Sequence, residues 1–113
     1  MHINLTRDSV AMGDDVDAPH AHRFSMPDGS TLAQVLQTVL SQRYLASITG
    51  GEATWVALLE QKPIAVLAQQ WQQPVLLGPD LVLPPNVAVQ LHFRYRTQQD
   101  PEEVLAELRK QAV

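Results

Sequence analysis

Asp14, Asp15, Asp17, His20 and His22 follow one another closely, and carboxylates and imidazoles are side chains that hold divalent metals. On one strand, alternation would put the rings of His20 and His22 on the same face and make them a candidate metal pair. The spacing matches no specific metal signature. A calcium loop of the helix-loop-helix type is excluded, because its acidic spacing and glycine are missing. The plain alternative is a solvated loop, since Asp tolerates turn geometry. As a surface, three neighbouring carboxylates resemble the charge of a phosphate run and would attract a basic cleft on a partner.

His92, Arg94 and Arg96 form a second group, two residues apart, in a segment that alternates apolar and polar from Val87 to Arg96. Alternation sends these three to one face and Val87, Val89, Leu91, Phe93 and Tyr95 to the other. Arg makes bidentate contacts with carboxylates and phosphates, so this stripe is a candidate binding surface. The alternative is an ordinary polar sheet face. The acidic loop and this stripe have opposite sign, so they could serve one partner, two partners or self-association. Trp55 opens an apolar strand and reads as core. Trp71 sits among Gln69, Gln70, Gln72 and Gln73, a polar setting in which a large ring is either an interface anchor or a cover for a sheet edge.

Other chemistry finds little support. Ser9, Ser25, Ser30, Ser41 and Ser47 all lie outside any Gly-x-Ser-x-Gly elbow. Glu52 and Glu60 are the types needed for acid–base work, but nothing in the sequence puts them in one cleft. There is no Gly-rich phosphate loop and no cofactor motif. With no Cys, disulfide scaffolds, zinc–thiolate sites and thiol catalysis are excluded.

These side chains must be positioned by a short series of elements. Ile3 and Leu5 alternate with Asn4 and Thr6 as in a half-buried strand, which can run on through Val10 to Met12. A polar loop follows, and then a second alternating segment from His20 to Met26. Pro27, Asp28 and Gly29 make a turn. Thr31 and Gln34 fit a capping box, and Leu32, Val35, Leu36, Val39 and Leu40 share one helical face. Tyr44, Leu45 and Ile48 read as a packed exit before Gly50 and Gly51. Thr54–Leu59 and Ile64–Ala68, joined at Gln61, Lys62 and Pro63, are apolar on both alternations. Such strands have both faces covered or sit centrally in a sheet. Pro74–Leu77 and Leu81–Leu83 read as short edge strands around the turn Gly78, Pro79, Asp80. Asp100 caps a last helix, with Pro101 at its first position and Glu103 completing the box. Val104, Leu105 and Leu108 form its apolar stripe, and Arg109 and Lys110 lie where the helix dipole favours cations.

The totals fit this reading. A chain of 113 residues with 45% apolar residues is expected to form a single domain, residues 1–113, around one core. The net charge of −4 argues against wholesale binding of nucleic acid, which rests on Lys and Arg neutralising phosphates. No apolar run is long enough to span a bilayer, and the first residues form neither a basic region nor a signal-peptide core, so a cytoplasmic location with no membrane partner is expected.

The order strand, strand, helix, then further strands over roughly residues 2–96 resembles the β-grasp, or ubiquitin-like, arrangement. The resemblance lies in element order and carries no residue motif. A chain ending in a helix rather than a flexible diglycine tail departs from ubiquitin itself, so no conjugation role is implied. The expected class is α+β, with a β-grasp-like mixed sheet packed on one main helix and a short C-terminal helix. The expected function is binding another protein through Asp14, Asp15, Asp17, Trp71, His92, Arg94 and Arg96, with no cofactor. Its most concrete form is an immunity or inhibitor protein that blocks a basic toxin domain, such as a nuclease. The alternatives are a small metal-dependent enzyme or metal-binding domain using His20 and His22, and an adaptor subunit of a larger complex.

Overall fold

The computed structural model describes residues 1–10, 16, 18–46, 51, 53–96 and 99–111. Among them run β1 (His2–Arg7), β2 (His22–Ser25), α1 (Leu32–Ser41), β3 (Thr54–Leu59), β4 (Lys62–Ala68), β5 (Val75–Leu76), β6 (Val89–Arg96) and α2 (Pro101–Gln111). The strands form one mixed sheet in the order β2-β1-β6-β3-β4-β5. β1 and β6 pair in parallel, and every other pair is antiparallel. With α1 packed across one face, this is the β-grasp-like arrangement that the element order predicts.

Local sequence explains each main element. The Thr31 hydroxyl accepts from the Gln34 N–H at 3.2 Å, and the Gln34 side chain accepts from the Thr31 N–H at 2.9 Å, closing the capping box that starts α1. Leu32, Val35, Leu36 and Val39 then bury one face of α1 against Ile3, Leu5, Trp55, Leu91 and Phe93. On the opposite face of the sheet, Val104 and Leu108 of α2 cover Val56, Leu58 and Val66. β3 and β4 are therefore sandwiched between two helices, which is why both of their alternations are apolar. Asp100 starts α2 by accepting from the Glu102 N–H at 2.9 Å.

Several boundaries differ from the sequence reading. β1 ends at Arg7, and the next N–H, that of Asp8, donates to the Phe93 carbonyl at 3.0 Å. β2 is only His22–Ser25, because His20 takes a left-handed backbone, φ 59°, just after Pro19. His20 and His22 thus do not share a strand face. The β3–β4 turn falls at Glu60 and Gln61, both left-handed, the pattern of a type I′ hairpin. Lys62 and Pro63 already belong to β4, where a register shift opposite Ala57 and Leu58 accommodates the missing proline N–H. Leu81–Leu83 forms no strand. It contributes a single bridge, Val82 to Thr31. β6 begins at Val89, and Val87 lies outside it, exposed rather than in the core. No helix among the described residues is long and apolar enough to cross a membrane.

Candidate functional site

α2 covers the outer face of the sheet only over β3 and β4. The outer face of β2, β1 and β6 carries polar side chains instead, and the register sets their order. Arg23 lies beside Asn4, and Asn4 beside Gln90. Thr6 lies beside His92, and His92 beside Leu58. Arg94 adjoins Val56, and Arg96 adjoins Thr54. His92, Arg94 and Arg96 therefore share one face, as alternation predicts, and Leu91 and Phe93 are buried on the other.

Side-chain hydrogen bonds organise this half-face. Thr6 Oγ1 lies 2.8 Å from His92 Nδ1, and His92 Nε2 lies 2.9 Å from Asp8 Oδ1. The second Asp8 oxygen accepts from the Tyr95 N–H at 3.0 Å. In the neutral imidazole, Nε2–H donates to Asp8 and Nδ1 accepts from the Thr6 hydroxyl. Hydroxyl, imidazole and carboxylate in series have the order of a nucleophile, its base and an orienting acid. β1 pairs with β2 through Leu5 and with β6 through Arg7, and beyond the β2 ladder the Arg7 N–H donates to the Pro19 carbonyl at 3.0 Å. What the chain of bonds does is tie the end of β1 to β6. Nearby, Arg23 Nε donates to Asn4 Oδ1 at 2.8 Å. A shallow hollow of ≈ 500 Å³ opens here, with Asn4, Thr6, Arg23 and Gln90 among its walls.

The two C-terminal cations of the stripe differ from these bonded residues. The Arg94 side chain is exposed and makes no hydrogen bond or ion pair among the described residues. Arg96 is half-buried, and its Nε is shielded from solvent with no acceptor. A guanidinium N–H held out of water without an acceptor is a costly arrangement.

The remaining candidates separate. Asp14, Asp15 and Asp17 lie outside the described residues. His20 Nε2 lies 3.0 Å from Ser9 Oγ, and His22 Nε2 lies 3.1 Å from Gln42 Oε1. His22 also stacks on Tyr44, centroids 5.6 Å apart. Among the described residues, no three His, Asp or Glu side chains stand together in a way that could hold a metal ion. Trp71 is half-buried, packed against the cluster under α2, and sits away from the polar half-face.

Sequence reasoning missed Thr6, Asp8, Asn4 and Arg23. Thr6 and Asp8 are two apart, but their partner His92 lies 84 residues beyond Asp8, and only the parallel pairing of β1 and β6 brings them together. It also missed Arg7, whose side chain turns to the inner face. Arg7 Nε donates to the Tyr44 carbonyl at 3.2 Å, and its guanidinium lies 5.8 Å from the Tyr44 ring centroid and 6.0 Å from that of Trp55. The Tyr44 hydroxyl donates to the His20 carbonyl at 2.5 Å. Burial pushes the Tyr44 phenol up to about 12, against a smaller downward pull from Arg7.

Comparison with protein-family models, curated proteins and solved structures finds no match to this chain. The candidate site rests on its own geometry.

Proposed function

We propose that this chain is a small protein-binding module that docks the open β2-β1-β6 half of its outer sheet face on an acidic surface of a partner protein. The observation that carries this reading is the pair Arg94 and Arg96: the side chain of one is exposed without a partner among the described residues, and the other has a shielded Nε that lacks an acceptor. A chain of net charge −4 that gathers Arg23, Arg94 and Arg96 on one half-face has local complementarity to carboxylates against its own overall sign. The hydrogen-bonded Thr6–His92–Asp8 series supports the same reading, because it holds the strands that present these cations in fixed register.

The inhibitor version, with Asp14, Asp15 and Asp17 facing a basic toxin domain, rests on the acidic sequence alone. An adaptor role in a larger complex uses the same cationic face and needs an acidic neighbour. Titration with a short glutamate-rich peptide, followed through backbone amide signals, tests the reading. Shifts are expected on the outer residues of β1 and β6, weakened by salt and lost in the Arg94→Ala, Arg96→Ala double variant. Equal shifts in the double variant would remove the cations from the interface.

A further inference from the structure

The sheet ends at β2 on one side and at β5 on the other. β5 is a two-residue strand that follows Pro74, so that edge offers little to pair with. β2 runs over His22–Ser25, with Pro19 before it and Pro27 after it but no proline within it.

The β1–β2 ladder fixes which backbone groups of β2 are used. Met1 and Met26 exchange both of their bonds, each at 3.0 Å. Bonded and non-bonded pairs alternate along an antiparallel ladder, so Ile3–Phe24 and Leu5–His22 are bonded pairs, and His2–Ser25 and Asn4–Arg23 are not. The N–H and C=O groups of Arg23 and Ser25 therefore point away from β1, and among the described residues no backbone group reaches them. A charged side chain is a common guard on such an edge. Here the Arg23 side chain is turned back over its own sheet, where Nε donates to Asn4 Oδ1 at 2.8 Å.

We infer that β2 pairs with β2 of a second copy of this chain, about a two-fold axis through Phe24. An antiparallel partner must set outward residue against outward residue. Arg23 opposite Arg23 puts like charges side by side. Ser25 opposite Ser25 brings Arg23 opposite Pro27, which has no N–H to give. Arg23 opposite Ser25 of the other copy avoids both faults and is reciprocal, as a two-fold interface requires. In that register both outward residues of each copy exchange N–H and C=O bonds. The half-buried Phe24 rings meet on the α1 side as an aromatic pair, in the closer, non-bonded position. The axis stands perpendicular to the sheet, so the polar half-faces of the two copies lie on the same side and become one surface. Two such short strands bury far less than a permanent dimer interface, so the pairing is reversible. It does not depend on an acidic partner.

Sedimentation equilibrium of the full chain, joined to amide hydrogen exchange, tests the inference. A monomer–dimer equilibrium with a dissociation constant of about 0.1–1 mM is expected. Through that concentration range the Arg23 and Ser25 amides should gain protection, and those of His22 and Phe24, already bonded to β1, should change little. Ser25→Pro removes an outward N–H that β1 does not use, so it should keep the fold by circular dichroism and weaken the dimer about tenfold or more. Ser25→Arg keeps every backbone donor. It should weaken the dimer through Arg23 of the other copy, and high salt should restore part of the loss. If Ser25→Pro does not fold, Ser25→Arg and the exchange pattern decide. A chain that stays monomeric well above about 1 mM, a dimer indifferent to either folded variant, or protection that grows elsewhere but not at Arg23 and Ser25 would each overturn the proposal.

Discussion

His92 and Asp8 meet across the parallel β1–β6 pair, Nε2 to Oδ1 at 2.9 Å, with the imidazole bonded to Thr6 on its other nitrogen. This contact joins two segments at opposite ends of the chain. It gives β1, whose other neighbour in the sheet is β2, a side-chain tie to the centre of the sheet.

A double-mutant cycle on this pair measures the tie. Both side chains are partly solvated, with 36% and 40% of their surfaces exposed. The coupling between His92→Ala and Asp8→Ala should therefore be about 0.5–1.5 kcal/mol, the net worth of one such hydrogen bond. Denaturant unfolding of the four proteins gives the value. Strict additivity would mean that the bond contributes nothing to holding β1 in place.

The two faces of β6 should respond differently to truncation. Among the described residues the Arg94 side chain makes no hydrogen bond, and Arg96 has a shielded Nε without an acceptor, so neither side chain loses a bond on truncation. Arg94→Ala and Arg96→Ala should each destabilise the fold by no more than about 0.5 kcal/mol. Phe93, fully buried against α1's side of the sheet, should cost ~3–5 kcal/mol on replacement by Ala. Equilibrium unfolding decides between this pattern and its reverse, which would require the opposite register.

Both helices should be needed for stability, each through its own face. Leu36→Ala on α1 and Leu108→Ala on α2 remove buried side chains from the two separate clusters. Each should cost ~2–5 kcal/mol by denaturation. The two losses should add, because the clusters lie on opposite faces of the sheet. A loss below about 0.5 kcal/mol at Leu108 would mean that α2 does not cover β3 and β4 in solution.

Tyr44 makes stability depend on alkaline pH. Its phenol is raised from 10.0 to about 12 in the fold, first by burial, so the folded chain keeps a proton that the unfolded chain gives up. The contribution is intact below pH 10 and declines as pH rises through the interval to about 12. Tyr44→Phe should remove this decline, so that wild type loses stability relative to the variant across that interval. Parallel pH curves for the two proteins would contradict the burial of the phenol.

Much of this fold was legible because its signals are local. The Thr31–Gln34 capping box and the five apolar positions after it marked α1 without reference to the rest of the chain. The two-sided apolar pattern of β3 and β4 called for cover on both faces, which α1 and α2 supply. Alternation in β6 put His92, Arg94 and Arg96 together. What escaped depends on tertiary contact or on backbone conformations that residue type does not announce. Asp8 has no sequence mark that pairs it with His92. Glu60, Gln61, His20 and Arg43 take left-handed conformations without being Gly or Asn, so residue type alone marks neither the hairpin turn at Glu60 and Gln61 nor the start of β2 at His22. Trp71 was legible as a ring needing a partner, but its place against the cluster under α2 depends on that helix returning to the outer face of β3 and β4.

The most direct measurement is site-specific photo-crosslinking in the cells that make the protein. A photoreactive residue at Gln90 probes the open half of the outer face, and one at the exposed Glu107 probes α2. Adducts are identified by mass spectrometry with and without Arg94→Ala and Arg96→Ala. The account predicts that Gln90 captures a partner protein at an acidic segment, that Glu107 does not, and that the arginine substitutions abolish the adduct. Capture from Glu107 instead, or a Gln90 adduct indifferent to both arginines, would contradict it.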